Sequence, residues 1–351
     1  MKKGKLLFYG ELSPDSVHGV AISNTINLRM LEPEFLIHII REKSNFGHHD
    51  RITLSKIFRV SGDLCSIALK SLKSKYLFFY SVFSLSVFGG IKTLGSVLLF
   101  RFFNRGTIVL HIHRGDFFSR YYKSWVNRVI SRLIFFISDR IIILSESQKS
   151  SFEQVAHKPV YVLYNTIEKE YPFQSKKETG SGFIYISNYL REKGIVDLLN
   201  VFSKLSLERP ELHLNTYGNF SDEKLKDSIL AFASGNIEIG RAVYEDEKFR
   251  ILSGSGCLIL PSWNEGLPLV LLEAISVGTP VIASDTGFVK EITGSDYPFL
   301  FKPGDKKSLE SAILKFLEYG KAKELSDSLN KTYNDKFSNC AHNEILTKIF
   351  I

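Results

Sequence analysis

Short, continuous apolar runs recur along this chain in two series, and each run is followed by a stretch of helical periodicity. The first series is KLLFYG (5–10), EFLIHII (34–40), KYLFFYS (75–81), TIVLHIH (107–113), RIIILS (140–145) and VYVLYN (160–165). The second is GFIYIS (182–187), LHLNTYG (212–218), NIEIG (236–240), CLILPS (257–262), PVIAS (280–284) and FLFKPG (299–304). A strand that is apolar along its whole length is covered on both faces, and strands that alternate with helices form parallel sheets. Two series therefore predict two Rossmann-like α/β domains, for which 351 residues suffice. Between them lies EKEYPFQSKKETGSG (168–182), polar and holding Pro and Gly. The expected domains are 1–170 and 171–337, with a helical tail over 338–351 that packs back on the first.

Three cysteines, Cys65, Cys257 and Cys340, are far apart and form no CxxC, which argues against a disulfide framework or a zinc site. A reducing cytoplasm is the expected compartment. The opening MKKGKLLFYGELSPD reads as a first strand, since no small-residue cleavage site follows its short apolar run. YLFFYSVFSLSVFGGI (76–91) is too short and too rich in Ser and Gly for a membrane span, and reads as a buried strand plus loop. Charge is uneven. Residues 1–170 carry 24 Lys and Arg against 13 Asp and Glu, whereas the remainder carries 21 against 24. A basic first half suggests an anionic partner: nucleic acid, phospholipid or a diphosphate.

The most informative stretch is PSWNEGLPLVLLEAISVGTPVIAS (261–284). CLILP ends a strand, SWNEG turns, and LPLVLLEAISVG reads as a helix, with Pro268 in its first turn and Gly278 stopping it. Such a loop lies at the carboxyl end of a parallel strand, where open α/β sheets bind ligands. The helix's first N–H groups favour phosphate there, and Gly266 lets a ligand approach the backbone closely. Glu265 overhangs the crevice. Glu273, on the second turn, leans back towards it. A nucleotide diphosphate sugar fits this arrangement: phosphates on the helix end, ribose hydroxyls on Glu273, sugar near Glu265. A capping carboxylate beside a surface glutamate is the plainer reading of the pair alone.

PSxxEGLPLVLLEAISVGTPVIASDTGFVKEI resembles the signature of glycosyltransferase family 4, retaining enzymes of the GT-B fold, in which two Rossmann-like domains with parallel sheets face a central cleft. Glu291 falls on the signature's following glutamate. The resemblance implies a donor site that includes Asn264, Glu265, Gly266, Leu267 and Glu273. YISNYLREKGIVDLLNVF (185–202) resembles the same family's strand, loop and KG-containing helix, with Lys193 in the place of the lysine that neutralises the donor diphosphate. A cation there suits a leaving group that gains charge in the transition state. The family's second cation, an arginine five residues earlier, is Asn188 here, and Arg191 is its available substitute. NIEIGRAVYEDEKFRILSGSG (236–256) resembles the stretch that walls the base, around Gly240 to Val243.

The first half resembles the family's acceptor domain more loosely. In YGELSPDSVHGVAISN (9–24) a Gly-Gly pair is replaced by His18-Gly19, and Gly19 is expected to let its loop approach donor phosphate or acceptor. His113, at the end of TIVLHIH, takes the place of a histidine that lines the sugar site, and Asn165, in the NTIE that closes the domain, is expected to be structural. RYYKSWVNRVISRLIFFI (120–137) has helical periodicity, with basic and polar residues at 120, 123, 124, 127, 128 and 131. Tyr121, Tyr122, Trp125, Val126, Val129, Ile130, Leu133 and Ile134 form its other face. Two readings stand: a helix lying on an anionic membrane, or a domain helix burying its apolar face.

The function implied is retaining transfer of a sugar from a UDP- or GDP-linked donor to a glycan or lipid-linked glycan, in surface polysaccharide or lipopolysaccharide synthesis. Glu265, Lys193 and His113 are the expected catalytic residues. No DxD occurs in the chain, and a metal-independent reaction without cofactor is expected. The expected location is the cytoplasm, with peripheral contact at the inner face of the cell membrane. Other readings are a nucleotide-sugar epimerase of the same fold and a catalytically silent binding subunit. A nucleic-acid partner has no basic-aromatic motif behind it.

Overall fold

The computed structural model describes residues 2–16, 18–42, 53–175, 182–220 and 222–351. The stretch 176–181 of the polar seam therefore lies outside the described residues. The chain divides into two compact units, residues 1–168 with 342–351 and residues 169–341.

Unit 1 is a parallel sheet of order β2-β1-β3-β4-β5-β6. Its strands are β1 (Gly4–Gly10), β2 (Phe35–Arg41), β3 (Phe78–Val82), β4 (Thr107–Ile112), β5 (Arg140–Ile143) and β6 (Val160–Val162). Its helices are α1 (Gly19–Leu31), α2 (Leu54–Lys73), α3 (Val87–Phe103), α4 (Phe117–Lys123), α5 (Trp125–Ile137) and α6 (Lys149–Ala156). Alternate strand residues feed two cores. Leu7, Tyr9, Phe79, Ile108, Leu110 and Ile141 pack against Ile67 of α2, Val97 and Phe100 of α3, and Ile134 and Phe135 of α5. Leu6, Phe8, Phe78, Tyr80, Val109 and Ile142 face the other way, onto Leu28 and Leu31 of α1 and onto Leu346, Ile349 and Phe350. Those last three side chains belong to the chain's final helix (Asn339–Phe350), which fills the second core of unit 1.

Two sequence readings of this unit need correction. The expected loop at the end of 76–91 is the start of α3, because Ser86 accepts the Gly89 N–H and nucleates a helix. The single helix expected over 120–137 is two. Ser124 breaks it and caps α5 by accepting the Asn127 N–H at 3.3 Å. The expected apolar face splits accordingly: Tyr121 and Ile134 are buried, whereas Tyr122, Trp125, Val129 and Leu133 are exposed.

Unit 2 contains β7 (Gly182–Ile186), β8 (His213–Gly218), β9 (Ile237–Arg241), β10 (Cys257–Leu260), β11 (Val281–Ser284) and β12 (Leu300–Phe301). Its helices are α7 (Ile195–Glu208), α8 (Glu223–Leu230), α9 (Glu245–Gly254), α10 (Leu269–Ser276), α11 (Val289–Thr293), α12 (Lys306–Leu317) and α13 (Ala322–Lys336). The sheet runs β12-β11-β10-β7-β8-β9, all parallel where paired. Successive crossovers lead outward from β7 through β8 to β9, and then from β10 through β11 to β12. The order reverses between β7 and β10. Crossovers diverge there, so a crevice opens beyond the carboxyl ends of these two strands.

Candidate active site

The loops that leave β7 and β10 carry most of the expected donor residues. After β7 the chain runs through Asn188 into a single 3-10 turn, Arg191–Lys193, and then Gly194 enters α7. After β10 it runs from Pro261 to Pro268, the residue directly before α10. Gly194 has φ +71°, and a Cβ there would lie 1.9 Å from the Pro261 carbonyl oxygen. Glycine is therefore required for the turn that carries Lys193 to reach the β10 loop. A second tie is the Trp263 N–H, which donates to the Glu192 carbonyl at 2.8 Å. A third is the Trp263 indole Nε1, 2.9 Å from Asp197 Oδ2 on α7.

The β10 loop is clamped from its other side by the turn after β11. Gly287 has φ +56°, and a Cβ there would meet the Glu265 and Gly266 carbonyl oxygens at 2.2 and 2.6 Å. The Phe288 N–H donates to the Gly266 carbonyl at 2.9 Å, and the Thr286 hydroxyl donates to the Trp263 carbonyl at 3.2 Å. Glu265 thus sits on a backbone held from two directions, although it belongs to no helix or strand.

Between these supports Lys193 Nζ lies 2.7 Å from Glu265 Oε1. Their side chains are 27% and 12% exposed, so the pair is mostly buried yet still reaches solvent. The other expected glutamate is also paired. Glu273 Oε1 accepts from Lys248 Nζ of α9, and both side chains are largely buried. The sequence reading missed Lys248. Its local signal is the run EDEKF, with one lysine behind three acids, but only the packing of α9 on α10 reveals its partner. Trp263 and Gly287 were also unassigned from sequence. A further correction concerns Pro268, expected inside the first helical turn. It is the N-cap itself, extended at ψ 121°, and no side chain caps α10.

Asn264 is exposed, Gly266 half-buried and Leu267 buried along the same loop. Across from it, the Tyr189 hydroxyl donates to the Gly240 carbonyl at 2.7 Å, which ties the loop after β7 to β9. Val243 is buried just beyond β9. Asn188 is half-buried, its carbonyl accepting from the Tyr185 hydroxyl at 3.1 Å, and Arg191 is exposed.

In unit 1, His113 follows β4 directly, and Gly19 is the exposed first residue of α1. His18 takes up the N-cap of α1, accepting the Ala21 N–H on Nδ1 at 3.4 Å while Nε2 meets the Glu11 carboxylate. This explains a histidine where a second glycine was expected. Burial, and then the neighbouring His18, push the His113 imidazole down to about 3. Its Nε2 is buried with no hydrogen-bond partner among the described residues. The His113 ring lies 3.7 Å, centre to centre, from that of His111. His111 Nδ1 is 2.7 Å from the Tyr80 hydroxyl, which also receives the Asn27 amide at 2.9 Å. Asn27 is in turn 2.7 Å from His342 Nε2 of the final helix. Arg114, beside His113, is bound to Asp116 at 2.7 and 2.8 Å.

Residues 167–333 match the family model described as "Glycosyl transferases group 1". Among curated relatives, the chain is 26% identical over 163 residues to the O-antigen chain mannosyltransferase B of Escherichia coli, covering 45% of this chain and 42% of that one. It is 28% identical over 177 residues to the N-acetyl-alpha-D-glucosaminyl L-malate synthase of Bacillus anthracis, covering 46% and 45%. The matched regions span 30% to 56% of the length of the curated relatives. Among solved structures, the sucrose-phosphate synthase of Thermosynechococcus elongatus superposes with a TM-score of 0.74 at 16% identity, over 99% of this chain and 98% of that one. The lipopolysaccharide outer core galactosyltransferase WaaB superposes with a TM-score of 0.63 at 17% identity, over 98% of each chain. These likenesses establish the fold.

Proposed function

We propose, from the premise that this is a GT-B-fold protein whose second unit is a group 1 glycosyl transferase domain, that the chain is a retaining glycosyltransferase of the family 4 type. It would take a UDP- or GDP-linked sugar to a glycan or lipid-linked glycan in surface polysaccharide or lipopolysaccharide synthesis. The observation that carries the reading is the Lys193–Glu265 pair, held at the reversal of strand order beside the uncapped start of α10.

The donor's diphosphate takes the place of Glu265 as the anion facing Lys193, and the open N–H groups of α10 receive its oxygens. When the bond between the anomeric carbon and the phosphate oxygen breaks, the electron pair goes to the diphosphate; the acceptor's hydroxyl oxygen forms the new bond to the anomeric carbon, and its proton leaves with the diphosphate. Lys193 stabilises that gain of charge, and the reaction therefore needs no metal. Glu265, released from Lys193, turns to the sugar, where positive charge develops at the anomeric carbon. Glu273, steadied by Lys248, holds the ribose hydroxyls, and Val243 walls the base. Arg191 serves as the second cation beside Asn188, while Asn264, Gly266 and Leu267 shape the loop around the phosphates.

Unit 1 supplies the acceptor side. His113 stays neutral and offers its unpartnered Nε2 to a sugar hydroxyl, and Gly19 keeps the start of α1 open to the acceptor. The excess positive charge of this unit favours work at the inner, anionic face of the cell membrane. A thermal-shift panel of nucleoside diphosphates and nucleotide sugars tests the reading, because a ligand that binds only the native state raises its stability. Stabilisation by UDP or GDP that Lys193→Ala abolishes is expected. Equal stabilisation of wild type and variant would remove Lys193 from the donor site.

A further inference from the structure

More than half of the exposed large apolar side chains among the described residues belong to three helices of unit 1. These are α2, α3 and α5. They form one layer, with α3 in the middle: a Cβ on Gly90 would lie 2.9 Å from Ile130 of α5, and one on Gly95 would lie 3.3 Å from Leu64 of α2. The inner sides of the layer are accounted for by Ile67, Val97, Phe100, Ile134 and Phe135 in the core. The outer sides are apolar too. Val87, Ile91, Leu98 and Phe102 recur at helical spacing along α3, and Trp125, Val129, Leu133 and Phe136 do so along α5. Phe102 and Phe136 are 82% and 79% exposed, and Phe58 of α2 is 77% exposed. A helix apolar on both sides has a second surface to cover, and patches of this extent mark interaction sites.

The helices of the patch carry charge almost wholly of one sign, although Lys92 and Arg101 of α3 are paired with Glu42 and Asp139 from neighbouring segments. From Leu64 to Gly115 the chain contains no Asp or Glu. Asp63, the single acid on the three helices, meets the Tyr9 hydroxyl. Arg128 and Arg132 lie exposed on α5, interleaved with its apolar stripe and without an ion pair among the described residues. A second copy docked face to face would bury Arg128 and Arg132 of both copies against helices whose one acid, Asp63, already meets Tyr9, which is unfavourable. An anionic bilayer neutralises them and accepts the aromatic and aliphatic side chains between them. Among the described residues no helix is long and apolar enough to cross a membrane.

We infer that the outer face of α2, α3 and α5 is a docking surface for anionic phospholipid, on which Trp125, Phe136 and Phe102 enter the interface while Arg128 and Arg132 bind headgroups. This deepens, and rests on, the reading of unit 1 as facing an anionic surface, but it requires insertion and not charge attraction alone.

The test uses the full chain and vesicles of phosphatidylglycerol with phosphatidylcholine, against phosphatidylcholine alone. In a Trp263→Phe variant Trp125 is the remaining tryptophan. Its emission is expected to shift to the blue on anionic vesicles and to stay unchanged on neutral ones. Arg128→Gln with Arg132→Gln should weaken co-sedimentation roughly thirty-fold, and Phe102→Ser with Phe136→Ser should make the remaining binding fully reversible by salt. All three variants alter exposed positions, and an unchanged thermal transition checks their folding. Co-sedimentation that salt abolishes in the wild type, with unshifted Trp125 emission, would overturn insertion and leave the charge reading standing. Absence of binding would overturn both. A dimer in wild type that Phe102→Ser with Phe136→Ser dissociates would assign the face to a second copy and overturn the proposal. None of these outcomes depends on the donor reading, whose test is nucleotide binding.

Discussion

Lys193 and Glu265 are 2.7 Å apart and paired with each other, although they lie on loops that leave two different strands. The residue proposed to hold the donor's phosphate therefore carries a built-in competitor. Removing the competitor should help phosphate and hurt turnover. Glu265→Gln is expected to tighten nucleoside diphosphate binding several-fold while lowering kcat by about a hundredfold to a thousandfold. Titration calorimetry together with steady-state rates checks this. Normal turnover in Glu265→Gln would show that its charge is not used at the sugar.

Glu273 and Lys248 form the second such pair, with side chains 12% and 18% exposed. Breaking it from one side strands a largely buried charge. Lys248→Met is expected to cost about 3 kcal/mol of folding stability, and Glu273→Gln in the same chain should recover part of that loss. Urea denaturation of the singles and the double separates pair from context. Additive losses would mean that the two side chains do not interact.

Gly194 has no room for a side chain under Pro261 and sits at φ +71°. Gly194→Ala is expected to destabilise unit 2 by about 3 kcal/mol, from the left-handed backbone and from overpacking together. It should also lower nucleotide affinity, since Lys193 is the preceding residue. Denaturant unfolding with and without UDP or GDP measures both effects, and a neutral substitution would contradict the clamp.

His342 is pushed down from 6.5 to about 4 by burial. The folded state therefore resists a proton that the unfolded state accepts. Its contribution to stability is complete above pH 6.5 and is lost as pH falls towards 4, by about 3 kcal/mol in all. His111 and His113 are shifted in the same direction. Unfolding midpoints should fall across this window and fall less steeply in His342→Gln. An identical slope in the variant would remove His342 from the acid response.

Much of this architecture was legible because fully covered parallel strands must be apolar along their length, so both series of runs could be read directly. Helix ends were harder. Ser86 and Ser124 are the caps that decide where α3 and α5 begin, yet each is one polar residue inside an apolar or amphipathic stretch, and periodicity reads through it. At the candidate site the proposed residues Lys193 and Glu265 were legible because each directly precedes a glycine in its loop, and Glu273 because it lies on the helix that follows Pro268. Lys248, Trp263 and Gly287 could not be read the same way. Their roles are contacts across 25, 66 and 22 positions of chain, which no local spacing encodes. His111 and His342 belong to the same class, joined through Asn27 and Tyr80 by packing alone.

The most direct measurement is a crystal structure of the full chain soaked with UDP or GDP. The account predicts the diphosphate between Lys193 Nζ and the first N–H groups of α10, the ribose on Glu273, and Glu265 turned away from Lys193. A nucleotide bound elsewhere, with the Lys193–Glu265 pair still closed, would contradict it.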